Sequence, residues 1–408
     1  LKKDSPLEGS TVLVGVCGGI AAYKSAQLVR CLRKEEARVR VVMTRSAQAF
    51  VGPLTFEALS EEPVFLDMFE LGGDAGIRHI AWAQEADAAV IAPATANMVA
   101  KLANGLADDA LSTLMLAMTT PVLVCPAMNS RMYENRVVQA NLRRLCDLGF
   151  HVLAPDCGAL ACGTFGPGRL PDPEIVVDRL KRILLPKDFE DTRVLVTAGP
   201  TREPIDPVRF ISNPSTGKMG YAVAQAAEHR GARVVLVCGP TALPDPVNVE
   251  VVRVTTALEM AEAVYAHAEE AQVVVKTAAV ADYRPEAPEK LKIKKTEGPR
   301  TLSLTRNPDI LRELGSRKQR GQVLVGFAAE THDLDVYAVT KLQEKNLDMI
   351  VANLIGARDS GFAAETNRVK VFFRDGTQEV FPVMAKKAVA HLLLDRVHAA
   401  LYAGRGAP

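Results

Sequence analysis

Short apolar runs alternate along the chain with longer segments in which apolar positions recur at helical spacing. In the first half, TVLVGVC (11–17) predicts a strand ending at Gly18-Gly19. A helix follows from Ile20 to about Glu35, and ARVRVVMT (37–44) predicts a second strand. ADAAVIAPAT (86–95), PVLVCPAMN (121–129) and HVLAP (151–155) read as further strands, separated by helical stretches around 96–117 and 134–148. The pattern restarts beyond LLPKDFED (184–191). RVLVTAG (193–199), ARVVLVCGP (232–240), AQVVVKTAAVADYR (271–284), QVLVGFAAE (322–330) and DMIVAN (348–353) are strand-like. Helices are expected from Gly217 to Arg230, around 334–346, and from about Val383 to Ala400. RVKVFFRDGTQEVFP (368–382) predicts a hairpin through Asp375-Gly376. This alternation predicts two α/β domains, residues 1–188 and 189–408, each a Rossmann-like three-layer α/β/α unit with binding loops at the carboxyl ends of its strands.

Composition supports that picture. Of 408 residues, 48% are hydrophobic but only 5% aromatic, so burial must rest on Ala, Val, Leu and Ile, the residues of parallel sheets covered by helices. A net charge of +1 gives no general attraction for nucleic acid or an anionic membrane, so any basic ligand site must be local. No stretch approaches the length of a membrane span, and the opening LKKDSPLEGS is too short and polar for a signal peptide. A cytoplasmic protein is expected. The seven Cys do not read as a disulfide scaffold: Cys17, Cys125 and Cys238 lie in or beside strand-like runs, and Cys31 and Cys146 in helical ones. Only Cys157 and Cys162 sit in a polar, Gly-rich loop.

Candidate chemistry in the first half gathers at strand ends. Gly18-Gly19 between a strand and a helix lets backbone N–H groups approach an anion, although it is not a GxGxxG fingerprint. Thr44-Arg45-Ser46 and Pro93-Ala94-Thr95-Ala96-Asn97 are polar ends of neighbouring strands that can converge on the same ligand. His79 stands where a helix can begin, either as a satisfied structural histidine or as a base titrating near neutrality. Asn129 follows a strand and offers both an amide donor and an acceptor. Cys162 lies in LACGTFGPGRL (160–170), whose glycines and proline suggest a shaped flap.

GGIAAYK (18–24), the His79 segment, APATANMVAKLANGLADD (92–109), PAMNSRMY (126–133) and ACGTFGPGRL (161–170) together resemble the flavin-dependent phosphopantothenoylcysteine decarboxylases, over most of residues 11–180. The resemblance implies a flavodoxin-like fold. It implies FMN held by Gly18, Gly19, Thr44, the loop Pro93, Ala94, Thr95, Ala96 and Asn97, and the helix start Ser112-Thr113. His79 is then expected to assist oxidation of the substrate thiol, Asn129 to fix its carboxylate, and Cys162 to supply the last proton. The family precedent places the flavin between subunits of a trimer that can build a dodecamer.

In the second half, LVTAGPTREPIDPVRFISNPSTGKMG (195–220) is rich in ligand groups, among them Asp206, Arg209 and Asn213. Its Ser-Thr-Gly-Lys quartet lacks the glycine spacing of a Walker loop, and the chain lacks the paired fingerprint and acidic residue of a nicotinamide site, which disfavours an NAD-linked reductase. RPEAPEKLKIKKTEGPR (284–300) reads either as a solvated loop or edge hairpin, or as a lid over an anion. Lys341 and Lys345 share a helix face, as a surface pair or as partners of a polyphosphate. Phe327 is placed at a strand end, where it could stack a base.

AGPTREPIDPVRFISN, STGKMG, KTAAVADYR, EKLKIKK, NPDIL and GFAAET are similar to the bacterial, CTP-using phosphopantothenate–cysteine ligases over about residues 193–390. By that likeness Lys276, Thr277, Ala278, Asp282, Lys290, Pro308, Asp309, Ile310, Leu311, Phe327, Lys341 and Lys345 fall where the family contacts CTP. Asn213 falls at the position that handles the acyl-cytidylate, and Lys290 is the candidate for stabilising the transfer. The implied substrates are 4′-phosphopantothenate, L-cysteine and CTP with Mg2+, and the implied assembly of this half is a dimer.

Overall fold

A computed structural model describes residues 5–69, 78–161, 163–295, 298–330, 334–354 and 364–403. The chain divides into two compact units, the first ending at Leu185 and the second beginning at Pro186.

The first unit opens with β1 (Thr11–Val16), α1 (Ala22–Lys34), β2 (Arg38–Met43), α2 (Pro53–Ser60) and α3 (Arg78–Glu85). Next come β3 (Ala88–Ala94), α4 (Ala96–Asn104), α5 (Ala110–Ala117), β4 (Val122–Pro126), α6 (Ser130–Tyr133), α7 (Arg136–Asp147) and β5 (His151–Val152). The hairpin β6 (Asp156–Ala159) and β7 (Phe165–Arg169) and the helix α8 (Pro173–Leu184) complete it. Its sheet runs β2-β1-β3-β4-β5 with every pair parallel, which is flavodoxin's order. Alternate residues of one strand serve two cores. Val12, Val14 and Val16 pack with Leu28 and Leu180 on one face, while Leu13 joins Trp82, Leu111 and Leu145 on the other. Burial on both faces is why these strands read as continuous apolar runs, each fully buried Val or Leu contributing about 2 kcal/mol. The helical stretch expected over 96–117 is two helices: Gly105 ends α4 in a left-handed conformation, and Asp109 starts α5 with a capping box to Ser112.

The second unit begins with β8 (Arg193–Ala198), the hairpin β9 (Arg202–Pro204) and β10 (Phe210–Ser212), α9 (Lys218–His229), β11 (Arg233–Cys238) and β12 (Glu250–Arg253). It continues through α10 (Ala257–Ala268), β13 (Val273–Lys276), β14 (Tyr283–Pro285), β15 (Leu304–Arg306), α11 (Ile310–Ser316), β16 (Val323–Glu330) and α12 (Leu334–Glu344). The last elements are β17 (Met349–Leu354), β18 (Thr366–Asn367), β19 (Val369–Phe373), β20 (Gln378–Val380), β21 (Met384–Ala385) and α13 (Lys386–Tyr402). The main sheet runs β12-β11-β8-β13-β16-β17-β19-β20. Its first six strands are parallel in the Rossmann order, and the expected hairpin through Asp375-Gly376 adds β19 and β20 antiparallel at the edge. The polar loop after β8 contains the β9–β10 hairpin, which the sequence did not show, and of the run expected as a strand over 271–284 only Val273–Lys276 forms β13 in the main sheet. The basic segment is a strap leaving the paired strands β14 and β15, in keeping with the loop or hairpin reading.

Candidate active sites

In the first unit the strand order reverses between β1 and β3, and the carboxyl ends of these strands open the crevice where doubly wound sheets bind ligands. A cavity of about 690 Å³ lies there, lined by Gly18 and Gly19 after β1, by Pro93, Thr95 and Ala96 at the end of β3, and by Asn129 after β4. That volume is within the range of small-molecule sites. Gly18 is dictated by a close approach, since a Cβ there would stand 2.4 Å from the Ser46 Cβ and 2.7 Å from its carbonyl carbon. Thr95 caps α4, its hydroxyl accepting from the Met98 N–H at 3.3 Å. The helix therefore starts at the cavity wall, where its first N–H groups, lacking intrahelical acceptors, suit an anion. The Cys17 thiol beneath is pushed up to about 12 by burial and stays neutral.

The β6–β7 hairpin forms another wall, through Ala159, Leu160, Gly168 and Arg169. Gly168 has φ +140, and a Cβ there would meet the Met128 carbonyl oxygen at 2.0 Å, while the Met128 N–H donates to the Gly168 carbonyl at 3.1 Å. Lys24, also in the lining, donates to the Leu170 carbonyl and the Asp172 carboxylate, both at 2.9 Å, tying α1 to the chain leaving β7.

The other expected residues of this half are placed unevenly. Asn129 caps α6, its Oδ1 accepting from the Arg131 N–H at 2.9 Å, which fixes the amide at the cavity wall. His79 is the second residue of α3; its Nδ1 is buried without a hydrogen-bond partner, and it is not among the residues lining the cavity. Thr44 spends its hydroxyl locally, on the Val16 carbonyl at 3.5 Å and the Ala47 N–H at 3.3 Å. Ser112 is fully buried in its capping box, Thr113 is half-buried on α5, Ala94 is buried, and Asn97 is exposed on the first turn of α4. Burial alone would raise the Asp109 carboxyl, but hydrogen bonds from Lys101 and Ser112 outweigh it and hold it below its usual range. Cys162 lies outside the described residues.

In the second unit the order reverses between β8 and β13. There the Thr277 hydroxyl donates to the Thr197 carbonyl, and the Ala278 N–H donates to the Thr197 hydroxyl at 3.1 Å, stitching the chain beyond β13 to β8. Asn213, just past β10, donates from Nδ2 to the carbonyls of Ala279 and Val280, both at 3.2 Å. Lys276 ends β13 half-buried, and its ammonium is pushed down to about 8 by burial first and then by the Lys345 charge. Asp309, Asp282 and Lys341 also act on it, so these five charged groups share one neighbourhood. Asp309 caps α11 through the Arg312 N–H at 3.1 Å and receives Lys345 at 3.0 Å. Ile310 and Leu311 are buried in the core, which leaves their backbone, with half-buried Pro308, as the part able to meet a ligand. Phe327 does not end a strand. It lies within β16 opposite Val351 and packs on the core, because the strand runs on to Glu330.

Lys290 is exposed on the strap. What holds the strap is Asp206, whose side chain is fully buried although its loop is polar. Its Oδ1 accepts from the N–H groups of Val208 and Arg209, both at 2.8 Å, and its Oδ2 accepts from Arg209 Nε at 3.0 Å and the Ile293 N–H at 3.1 Å. Arg209 Nη2 pairs with the same carboxylate and donates to the Ile293 carbonyl at 3.1 Å. The Arg209 guanidinium holds the Asp206 carboxyl well below the usual carboxylate range. Asp206 and Arg209 are thus turned on each other and on the strap rather than left open as ligand groups.

Comparison with known proteins bears on both sites. Residues 2–185 match the family model described as Flavoprotein, and residues 189–401 match the DNA/pantothenate metabolism flavoprotein C-terminal domain. The coenzyme A biosynthesis bifunctional protein CoaBC of Bacillus subtilis (strain 168) is 47% identical over 397 residues, covering 96% of this chain and 98% of that protein. The chain belongs to this family of bifunctional coenzyme A biosynthesis proteins. The proteins of the same description from Escherichia coli (strain K12) and Vibrio vulnificus (strain YJ016) are 45% and 43% identical, over 395 and 393 residues. Each alignment spans 96% of this chain, with 97% and 98% of those relatives. As in those family members, one continuous chain carries both units. Lys24 and Arg169 in the first site were not singled out by motif reasoning, although Lys24 closes the GGIAAYK segment that carried the resemblance.

Proposed function

We propose that the second unit joins 4′-phosphopantothenate to L-cysteine using CTP, and that the first decarboxylates the resulting 4′-phosphopantothenoylcysteine to 4′-phosphopantetheine. The observation that carries this reading is that, in a chain related to the family over nearly its full length, each unit gathers motif residues at its own switch point. For the ligase, a carboxylate is a poor acyl donor until activated. The substrate carboxylate attacks the α-phosphorus of CTP, expelling pyrophosphate and leaving an acyl-cytidylate. The cysteine amine then attacks the acyl carbon, and CMP departs. Lys276, Lys341 and Lys345 offset charge on the triphosphate, Lys290 reaches the transferring group from the strap, and Asn213, fixed through its Nδ2, holds the intermediate. Mg2+ is expected to accompany the nucleotide and to offset charge on the departing pyrophosphate.

The first unit fits FMN. The cavity sits at the flavodoxin-type switch point, Gly18 clears the approach to Ser46, and the α4 start offers N–H groups to a phosphate. Bound FMN supplies a two-electron acceptor and donor, which makes the decarboxylation redox-neutral. Asn129 then holds the substrate carboxylate at the cavity wall, His79 takes the thiol proton, and Cys162 returns a proton at the end; these three roles rest on the family resemblance. A homo-oligomer of decarboxylase trimers and ligase dimers, closing as a dodecamer in the cytoplasm, completes the proposal; no helix among the described residues is long and apolar enough to cross a membrane.

The test is a mass-resolved assay with 4′-phosphopantothenate, cysteine, CTP and Mg2+. Formation of 4′-phosphopantetheine with equimolar CMP and CO2 supports both activities. Accumulation of phosphopantothenoylcysteine leaves only the ligase, no product from folded, flavin-loaded protein removes the ligase, and failure to release CO2 from added phosphopantothenoylcysteine removes the decarboxylase. For Lys290, Lys290→Gln is expected to slow pyrophosphate release measured without cysteine.

A further inference from the structure

We infer that Asp206 is a positioning residue of the ligase, latching the lysine strap to the β9–β10 hairpin so that Lys290 and Asn213 are presented together. The inference rests on the ligase reading above.

The geometry is unusual for a surface loop. A carboxylate in a run of turn residues would ordinarily face water, yet Asp206 is withdrawn completely and accepts from backbone and guanidinium donors on both of its oxygens. Two of those donors, the Val208 and Arg209 N–H groups, close the hairpin's own turn. A third belongs to the strap. Asp206 accepts the Ile293 N–H while Arg209 donates to the Ile293 carbonyl at 3.1 Å, so an ion pair engages both backbone polar groups of one residue as a neighbouring strand would. A second tie lies on the other side of Lys290, where the Glu289 N–H donates to the Ile205 carbonyl at 2.9 Å. Lys290 is therefore bracketed by contacts to a single turn. That turn leads directly through β10 (Phe210–Ser212) into Asn213, whose amide is itself fixed on Ala279 and Val280. Ordering an exposed lysine costs both backbone and side-chain entropy, and anchoring its backbone on both sides removes the backbone part before substrate arrives.

The prediction concerns coupling. Asp206→Asn keeps an acceptor for the turn but loses the charge that holds Arg209, and its amide places a donor where the Ile293 N–H must be accepted. The single-turnover rate constant of pyrophosphate release without cysteine is expected to fall about 100-fold, the scale of a small misplacement at a reacting centre, with the CTP concentration giving half that rate little changed. In a Lys290→Ala background the same substitution is expected to cost almost nothing further, because it acts through the lysine. Hydrogen exchange at the Glu289 and Ile293 amides is expected to accelerate in Asp206→Asn while the β8 and β13 amides stay protected, which separates unlatching from unfolding. Equal losses in both backgrounds, or unchanged exchange at Ile293, would overturn the inference. Absence of pyrophosphate release from the unsubstituted protein would instead defeat the ligase reading itself.

Discussion

Lys345 donates to the Asp309 carboxylate at 3.0 Å, and the same carboxylate caps α11 through the Arg312 N–H at 3.1 Å, so one aspartate fixes both a helix start and a lysine. Burial alone would raise Asp309, but the Lys345 and Arg312 hydrogen bonds outweigh it and keep it ionised. Asp309→Ala is expected to lose about 1 kcal/mol of stability through the missing cap, read from a denaturant midpoint. Lys345→Ala is expected to raise the KM for CTP about tenfold, the loss of one charge-assisted contact of about 1.4 kcal/mol, with decarboxylation of added phosphopantothenoylcysteine as the comparison.

Lys276 is expected to give the ligase a pH dependence. Its ammonium is pushed down to about 8, mainly by burial and next by Lys345. The folded value lies below the ordinary 10.5, so the charged form is disfavoured in the fold. Its penalty is complete below about 8 and is relieved as pH rises toward the ordinary value, so its share of stability increases across that window. Nucleotide affinity moves the other way. Above the break the free enzyme loses a cation proposed to face the triphosphate, and the KM for CTP is expected to rise by up to about tenfold per pH unit. Lys276→Met should abolish the break, and Asp309→Ala should shift it to lower pH, since Asp309 favours the charged lysine. A profile identical in the unsubstituted protein and Lys276→Met would exclude Lys276 from nucleotide binding.

Gly18→Ala would set a methyl 2.4 Å from the Ser46 Cβ, and the backbone of that loop must move to accept it. Such overpacking costs about 1–3 kcal/mol, and the displacement falls on the cavity wall. Purified Gly18→Ala is expected to carry less than about a tenth of the flavin per chain, measured by absorbance after denaturation, with the ligase half still active. Full flavin occupancy would show that the β1 turn does not cradle the cofactor.

Cys162→Ser separates loss of CO2 from the final reduction. The expected result is one CO2 and one oxidised enethiol per flavin, with the flavin left reduced, and further build-up only as dioxygen reoxidises it; the enethiol is identified by a mass two hydrogens below the normal product. Normal 4′-phosphopantetheine at the unsubstituted rate would remove the proton-donor role.

The architecture was largely legible because the main sheet of each unit is wholly or mostly parallel and buried on two faces, which makes strands such as TVLVGVC and RVLVTAG stand out as apolar runs. Short strands carrying charged residues gave no such signal. β9 is Arg202–Pro204, and only its pairing with Phe210–Ser212 makes it a strand. Among the site residues, Lys341 and Lys345, on and just past the end of α12, act on the Lys276 charge at the end of β13, a proximity that the alternation of strands and helices did not by itself imply. The use of individual hydroxyls was not legible. Ser112 and Thr44 look like ligand groups in a motif, but the backbone N–H groups of Asp109 and Ala47 engage their hydroxyls first. Asp206 was visible only as one polar residue among several, since burial inside a turn depends on a partner 87 residues away.

The grip on Ile293 is made on its amide and carbonyl, not on its side chain. Its chemical identity is therefore nearly free to drift: almost any residue there can be held, and proline, which has no N–H, cannot. A segment held in this way can change the charges around Lys290, and so retune the field it is proposed to bring to the nucleotide, without renegotiating its attachment, provided position 289 also keeps its N–H.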